Sequence, residues 1–322
     1  MNISKPQKKK AMTKMKKQNF LTLQEFTKDE IWQLLKSTKK FKEKTIKGKE
    51  ANKLEGKSIA LLFQKPSTRT RISFEVAIHQ LGGHSIYLGW AESQLGRGES
   101  TADTARVLSR YVDCVVARVN NHEDLEEMAE YAGNPVINAL SDLHHPCQAV
   151  ADLYTAWEKF GSLEGLKVAY VGDGNNVCNS LLIGCSKLGV NVSVACPQGY
   201  EPYNSVQIMA KTNAQDSTSK VEILREPSEA VKNADVIYTD TFVSMGDEAE
   251  RETRLKTFLP KYKVTSDLFK HASKDALFMH CLPAHRNEEV TDEVMDGSHS
   301  VVWDQAENRL HTAKALLAKV VA

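Results

Sequence analysis

Hydrophobic positions along this chain fall into two kinds of run. Short apolar runs at residues 58–63, 85–88, 114–117, 135–138, 166–171, 192–195, 221–223, 236–238 and 276–279 have the length of strands buried on both faces. Between them, apolar residues recur every three or four positions, the spacing of a helix with one buried face. These stretches predict helices from Thr27 through Trp32, Leu34 and Leu35, then over 72–81, 101–111, 125–131, 146–160 and 306–322. Boundary chemistry agrees. Thr27 and Glu30 have capping-box spacing, Gly82-Gly83 follows the second helix as a stop, and Pro146 suits a first helical position, where its missing N–H is not needed. Residues 91–100, with Gly96 and Gly98 among polar neighbours, read as a loop.

Strands alternating with helices predict parallel sheets of the α/β type. At 322 residues there is room for two domains of about 150 residues each. The pattern restarts after Gly161, so the domain change is expected near 145–165. Composition alters this picture little: 41% hydrophobic and 26% charged residues are ordinary for a globular chain. Lys plus Arg number 42 against 41 Asp plus Glu, which gives no general argument for nucleic acid or a membrane surface. No apolar run nears the roughly 20 residues of a membrane-spanning helix. Cys114, Cys147, Cys178, Cys185, Cys196 and Cys281 are scattered without a C-x-x-C pair and read as buried thiols of a reducing compartment. No Cys/His spacing resembles a zinc site, so no metal is expected.

One segment departs from neutrality. Lys5, Lys8, Lys9, Lys10, Lys14, Lys16 and Lys17 crowd the start of the chain. A nucleic-acid or membrane-surface role competes here with a solvated tail. Without interleaved aromatics or an apolar face, residues 1–18 are expected to be a disordered tail. With no Arg-rich leader and no apolar secretory stretch, a cytoplasmic setting is expected.

The candidate chemistry sits at strand ends. The run at 58–63 delivers the chain to Ser67-Thr68-Arg69-Thr70-Arg71, where a helix starts. A helix start exposes unpaired N–H groups and the positive end of its dipole. Ser67, Thr68 and Thr70 add hydroxyl donors, and Arg69 adds a planar fork that matches phosphate oxygens. Such a site donates throughout, which suits a phosphate dianion. Arg71 can instead pair with Glu75 one turn on. Arg118 ends the next strand, and His145 precedes Pro146, which holds it extended at a helix entry. Gln148 lies about one turn later. Gly172-x-Gly174 after a strand has part of a dinucleotide fingerprint, but Val177 occupies the last glycine's place, so no nicotinamide cofactor is expected.

Ser67-Thr68-Arg69-Thr70-Arg71 followed by Ser73-Phe74-Glu75, then Arg118, then His145-Pro146-Cys147-Gln148, resembles the carbamoyltransferase family. The resemblance implies that Ser67, Thr68, Arg69 and Thr70 hold the phosphate of carbamoyl phosphate. It implies that Arg118 holds phosphate and carbamoyl oxygen, and that His145 and Gln148 hold the carbamoyl group. It also implies a homotrimer in which Gln94 reaches a neighbour's phosphate. In the second half, Asp173-Gly174-Asn175-Asn176, Asp240-Thr241-Phe242-Val243-Ser244-Met245-Gly246 and His280-Cys281-Leu282-Pro283 resemble the ornithine-using branch. That branch implies Asn176, Asp240, Ser244 and Met245 for ornithine, Cys281 and Leu282 between the two substrates, and Arg309 at the carbamoyl phosphate.

The fold class expected is therefore α/β with two domains, each a parallel sheet flanked by helices, and the C-terminal helix packing back on the first. Residues 19–150, with the helix at about 306–322, would bind carbamoyl phosphate; residues 151–305 would bind ornithine. The implied reaction is carbamoyl transfer to the ornithine δ-amine, with Arg118, His145, Asp240 and Cys281 at the reacting groups and no cofactor. Putrescine or aspartate as acceptor, and nucleic-acid binding through the tail, are the alternatives. Adjacent strand residues point to opposite faces, so His280 and Cys281 are not expected to form a dyad.

Overall fold

The computed structural model describes residues 18–49, 51–244, 246 and 248–322; the lysines before Gln18 and the candidate Met245 lie outside the described residues. In chain order the strands are β1 (Ser58–Phe63), β2 (His84–Gly89), β3 (Cys114–Arg118), β4 (Val136–Leu140), β5 (Lys167–Val171), β6 (Asn191–Ala195), β7 (Val221–Leu224), β8 (Val236–Thr239) and β9 (Leu277–His280). The helices are α1 (Lys28–Ile46), α2 (Thr68–Gln80), α3 (Thr101–Tyr111), α4 (His122–Tyr131), α5 (Pro146–Phe160) and α6 (Asn176–Leu188). They continue with α7 (Asn204–Ser217), α8 (Pro227–Val231), α9 (Arg251–Phe258), α10 (Ser266–Phe269), α11 (Asp292–Met295) and α12 (Val302–Val320).

Two parallel sheets result, a four-stranded one in the order β2-β1-β3-β4 and a five-stranded one in the order β7-β6-β5-β8-β9. The period-two alternation within each apolar run explains why both faces of each sheet are covered. In β1, Ala60 and Leu62 face one core with Val115 and Ala117, while Ile59, Leu61 and Phe63 face another with Val116 and Ile137. In β5, Ala169 and Val171 face a core with Ile237 and Phe278, while Val168 and Tyr170 turn the other way. That other way is the same core in both sheets: Ile59, Leu61, Tyr170 and Tyr238 belong to one continuous apolar cluster. Helix α5 runs through it and packs on β4, α6 and α12, and α12 packs on α1, α2 and α5. The C-terminal helix thus returns to the first half of the chain, as expected.

The strand runs lie where the pattern placed them, within a residue or two. Thr27 and Glu30 form the capping box, with Thr27 Oγ1 accepting from Glu30 N at 3.2 Å and Glu30 Oε2 accepting from Thr27 N at 2.9 Å. Helix α2 begins at Thr68, ahead of the first apolar position at Ile72, because Ser67 caps it through Oγ, which accepts from Thr70 N at 3.3 Å. Helix α6 has no stripe to read in the sequence. Val177, Cys178, Leu181, Leu182, Ile183 and Cys185 bury it on most sides between α5 and α7.

In an open parallel sheet, ligands collect at the carboxyl ends where strand order reverses. The first sheet reverses between β1 and β3, the second between β5 and β8. Those two points face one cleft.

Candidate active site

The cleft has a volume of about 1520 Å³ and takes its walls from both halves of the chain. Register brings the first wall together. Phe63 pairs with Arg118, and Arg118 pairs with Leu140 across an irregularity at Ala117/Arg118. The ends of β1, β3 and β4 therefore meet, and each is followed by a polar segment. After β1 comes the start of α2, where Ser67, Thr68, Arg69 and Thr70 line the cleft. Its first N–H groups have no partner within the helix. Arg71 points elsewhere: it pairs with Glu75 at 3.0 Å and lies over the Tyr87 ring at 3.7 Å.

Arg118 and Arg309 complete this wall, both with less than a tenth of their surface exposed. Among the described residues, Arg118 Nε, Arg309 Nη2 and His145 Nδ1 are buried without a hydrogen-bond partner. Burial pushes the Arg118 guanidinium down to about 10, helped by repulsion from Arg309 and Arg69. Burial holds His145 well below the usual imidazole range, and Arg309 and Arg118 push it the same way. At neutral pH this wall carries guanidinium charge beside a neutral imidazole. His145 has φ −129° and ψ 65°, outside the α region as proline demands but short of full extension. Its N–H donates to Ser180 Oγ at 2.7 Å.

The second wall comes from the ends of β5, β8 and β9. After β5 the chain turns through Gly172 at φ 141° and Gly174. A Cβ at Gly174 would lie 2.2 Å from Pro202 N, so the second glycine makes room for the chain's own backbone. That accounts for the partial dinucleotide pattern without a nucleotide. Asn175 then caps α6, its Oδ1 accepting from Val177 N at 3.0 Å and Cys178 N at 3.2 Å. Its Nδ2 donates to Asp240 Oδ2 at 2.7 Å, and Asp240 Oδ1 accepts from Thr241 N at 2.8 Å and from the Cys281 thiol at 2.9 Å. Burial and Asp240 hold that thiol protonated, well above its usual range. Asn176 reaches across the cleft, donating from Nδ2 to Ser141 O at 2.5 Å.

His280 and Cys281 form no dyad. His280 Nε2 faces Glu289 Oε1 at 3.2 Å, both side chains fully buried, and its Nδ1 accepts from Leu282 N at 2.8 Å. That contact holds Leu282 at φ 60°, a conformation leucine seldom adopts, on the cleft floor. Asp240, His280 and Cys281 each offer a ligand atom close enough for a metal, as do His285, Glu288 and Glu289. In the first set both His280 nitrogens are already engaged; in the second, Glu288 pairs with Arg251.

The cleft thus gathers Ser67, Thr68, Arg69, Thr70, Arg118, His145, Asn176, Asp240, Ser244, Cys281, Leu282 and Arg309, all singled out in the sequence. Two candidates do not line it. Gln148 lies behind, its Oε1 accepting from Arg309 and its Nε2 donating to Asp152 Oδ1 at 2.7 Å. Gln94 is exposed on the segment between β2 and α3, outside this chain's cleft. Lys65 and Arg254, unmarked in the sequence, also line the cleft, as do Asp173 and Asn175, which stand in a singled-out motif without an assigned role. Arg254 pairs with Asp173 and donates from Nε to Phe242 O at 2.6 Å, tying two cleft segments together. Nothing in the charged run around Arg254 marks it as buried, since only the fold turns it inward.

Fold and site together define a class: a two-domain α/β protein whose guanidinium-rich wall faces a wall of carboxylate, thiol and amide groups. Within that class the chain belongs to the aspartate/ornithine carbamoyltransferase family. The family's carbamoyl-P binding domain matches residues 18–158 and its Asp/Orn binding domain matches residues 164–320. An ornithine carbamoyltransferase of Pyrococcus horikoshii is 58% identical over 304 residues, covering 94% of this chain and 96% of its own. One of Pyrococcus furiosus named anabolic is 58% identical over 303 residues, with the same coverage of 94% and 96%. The solved ornithine carbamoyltransferase of Pyrococcus furiosus superposes with a TM-score of 0.91 at 58% identity, covering 94% of this chain and 96% of that one. The Campylobacter jejuni anabolic enzyme gives 0.88 at 41% identity, covering 94% and 98%.

Proposed function

We propose that this protein transfers the carbamoyl group of carbamoyl phosphate to the δ-amine of L-ornithine, releasing L-citrulline and phosphate. The observation that carries the reading is the opposition of the two walls. Unpartnered Arg118 and Arg309 nitrogens and the α2 start face Asp240, Asn176 and Cys281 across one cleft. The first set suits a phosphate and a carbonyl oxygen, the second an amino acid bearing ammonium groups.

In the reaction, the neutral δ-amine donates its lone pair to the carbamoyl carbon. The carbonyl electrons move to oxygen, then return as the bond to the phosphate oxygen breaks, and the attacking nitrogen gives up a proton. Ser67, Thr68, Arg69 and Thr70 would hold the phosphate, with Arg309 at the same group. Arg118 and neutral His145 would stabilise the tetrahedral oxyanion. Asn176, Asp240, Ser244 and Met245 would hold ornithine, with Cys281 and Leu282 between the substrates. Gln148 would act on the carbamoyl group together with Arg309. Positioning and charge stabilisation suffice, since the donor is already activated. The δ-amine should titrate near a lysine amine, about 10.4, so turnover should rise from neutral to alkaline pH.

Aspartate would bring a second carboxylate. Arg254, the guanidinium on that wall, is already tied to Asp173, which disfavours it. The segments 19–150 plus about 306–322 and 151–305 would be the donor and acceptor domains. A homotrimer in a cytoplasmic setting is part of the reading, with Gln94 completing a neighbour's phosphate site. Its support is the exposed apolar set Ile72, Ile86, Val107 and Tyr111 on α2, the edge strand β2 and α3, the elements around Gln94. A role in arginine biosynthesis fits the anabolic name of a relative.

The test is product formation from carbamoyl phosphate with ornithine, putrescine and aspartate offered separately. Ornithine should be far the best acceptor. Equal or better use of putrescine would show that the α-carboxylate is not recognised and overturn the assignment.

A further inference from the structure

Asp152 lies on α5 one turn after Gln148, fully inside the core where the two halves meet, with only 2% of its surface exposed. Among the described residues, none of its hydrogen-bond partners lines the cleft. Both of its carboxylate oxygens nonetheless accept hydrogen bonds. Oδ1 accepts from Gln148 Nε2 at 2.7 Å and from Gln305 Nε2 at 2.6 Å, and Oδ2 accepts from the Tyr238 hydroxyl at 3.2 Å. A glutamine amide has a donor end and an acceptor end, and which end faces which neighbour is a choice. Oδ1 makes the choice for Gln148, and together with the Tyr238 hydroxyl, which also accepts from Gln305 Nε2 at 3.2 Å, it makes the choice for Gln305: both nitrogens turn inward, and both oxygens turn outward.

The outward oxygens support the two walls of the cleft from behind. Gln148 Oε1 accepts from Arg309 Nη1, whose other terminal nitrogen, Nη2, has no partner among the described residues and faces the phosphate wall. Gln305 Oε1 accepts from His280 N at 3.0 Å, at the end of β9 immediately before Cys281. Tyr238, the third partner, ends two residues before Asp240. A buried carboxylate with no cation in direct contact is costly, so its retention here calls for a use.

We propose that Asp152 is a positioning residue that orients Gln148 and Gln305 and thereby aims Arg309 at the donor and holds the Cys281 strand end at the acceptor. This rests on the carbamoyl-transfer reading of the cleft. The titratable groups that feel its charge are Arg309 on α12, Tyr238 on β8, Cys185 on α6 and Cys281 after β9. Burial pushes Asp152 up to about 7 against the pull of these donors and of Arg309. Protonation at Oδ2 leaves Oδ1 free to accept both amides, so orientation survives it. Asparagine can do the same, with Oδ1 toward the glutamines and its NH₂ toward the Tyr238 oxygen. Leucine, of similar shape, cannot.

The test compares Asp152→Asn with Asp152→Leu in the full chain. Titration calorimetry with inorganic phosphate reads Arg309 without turnover; citrulline kinetics read both substrates. Asp152→Leu should weaken phosphate binding and raise the carbamoyl phosphate KM by roughly tenfold, the order expected for a lost hydrogen bond to a charged group. Asp152→Asn should stay within about threefold of the parent on both, since its hydrogen bonds persist. A structural role alone would lower the melting temperature of both variants without this split. Equal loss in both, or no change in either, overturns the proposal. If Asp152→Leu does not fold, Gln148→Leu should weaken phosphate binding while Gln305→Leu raises only the ornithine KM; any other pattern also overturns it. A parent that binds phosphate but makes no citrulline refutes the reaction, while the phosphate titrations still decide the role of Asp152.

Discussion

Arg69, Arg118 and Arg309 place their charges along one wall, and for Arg118 burial and the other two act in the same direction. An anion bound there relieves both penalties, which makes the wall strongest where negative charge develops. Replacing Arg69 by alanine should cost about 3–4 kcal/mol of transition-state stabilisation, read as a fall in kcat/KM of two to three orders of magnitude. Retention of near-parental kcat/KM would remove Arg69 from the anion site. Asp152 gives a stability prediction of its own. Its carboxyl sits at about 7 in the folded chain against an ordinary value of 3.8. A raised acid favours the folded state below the ordinary value and loses that advantage as pH rises to the folded value. Asp152→Asn should therefore gain on the parent between about pH 4 and pH 7, by up to about 4 kcal/mol at 1.36 kcal/mol per unit. Melting curves at pH 5 and pH 8 check this; an unchanged difference between them would place the Asp152 carboxyl in the ordinary range.

The turn between β5 and α6 shows what an element demands of single residues. Gly174 lies against Pro202 N and Glu201 C, backbone on backbone, so an added Cβ has nothing soft to displace. Gly174→Ala should destabilise by about 1–3 kcal/mol or more as an overpacked site. It should also raise the ornithine KM, because Asp173 and Asn175 flank the turn. A variant with parental melting temperature and KM would show that the turn can shift freely. At this scale the sequence was informative wherever local chemistry decided the outcome. The Thr27/Glu30 box, Pro146 at the first position of α5 and the strand runs are local, and they lie where the pattern places them. The whole of α6 was not legible, because a helix buried all round lacks a stripe.

Across the whole molecule, the two sheets share the core through which α5 and α12 run, and Asn176 bonds to Ser141 across the cleft. A ligand that bridges these parts binds only the folded chain and must stabilise it. Carbamoyl phosphate at about 100 times its Kd should add about 2.7 kcal/mol, seen as a rise of several degrees in melting temperature. The Arg118→Ala variant should lose most of that rise; a full rise without Arg118 would locate the anion elsewhere.

The sequence by itself marked most of the guanidinium-rich wall: a strand, a polar helix start and an arginine at the next strand end are contiguous signals, each interpretable from a few neighbours. It also marked Asp240, Asn176 and Cys281 by resemblance. Only the tertiary structure decided what these groups bond to. Asn175 anchors Asp240, Gln148 serves Arg309 from behind the cleft, Arg254 is turned inward onto Asp173, and Asp152 joins α5, β8 and α12. Those partners lie tens to more than a hundred residues apart in the chain. Hydropathy periods carry no information on such pairs, since burial of a charge is settled by which elements pack together and not by its neighbours in sequence.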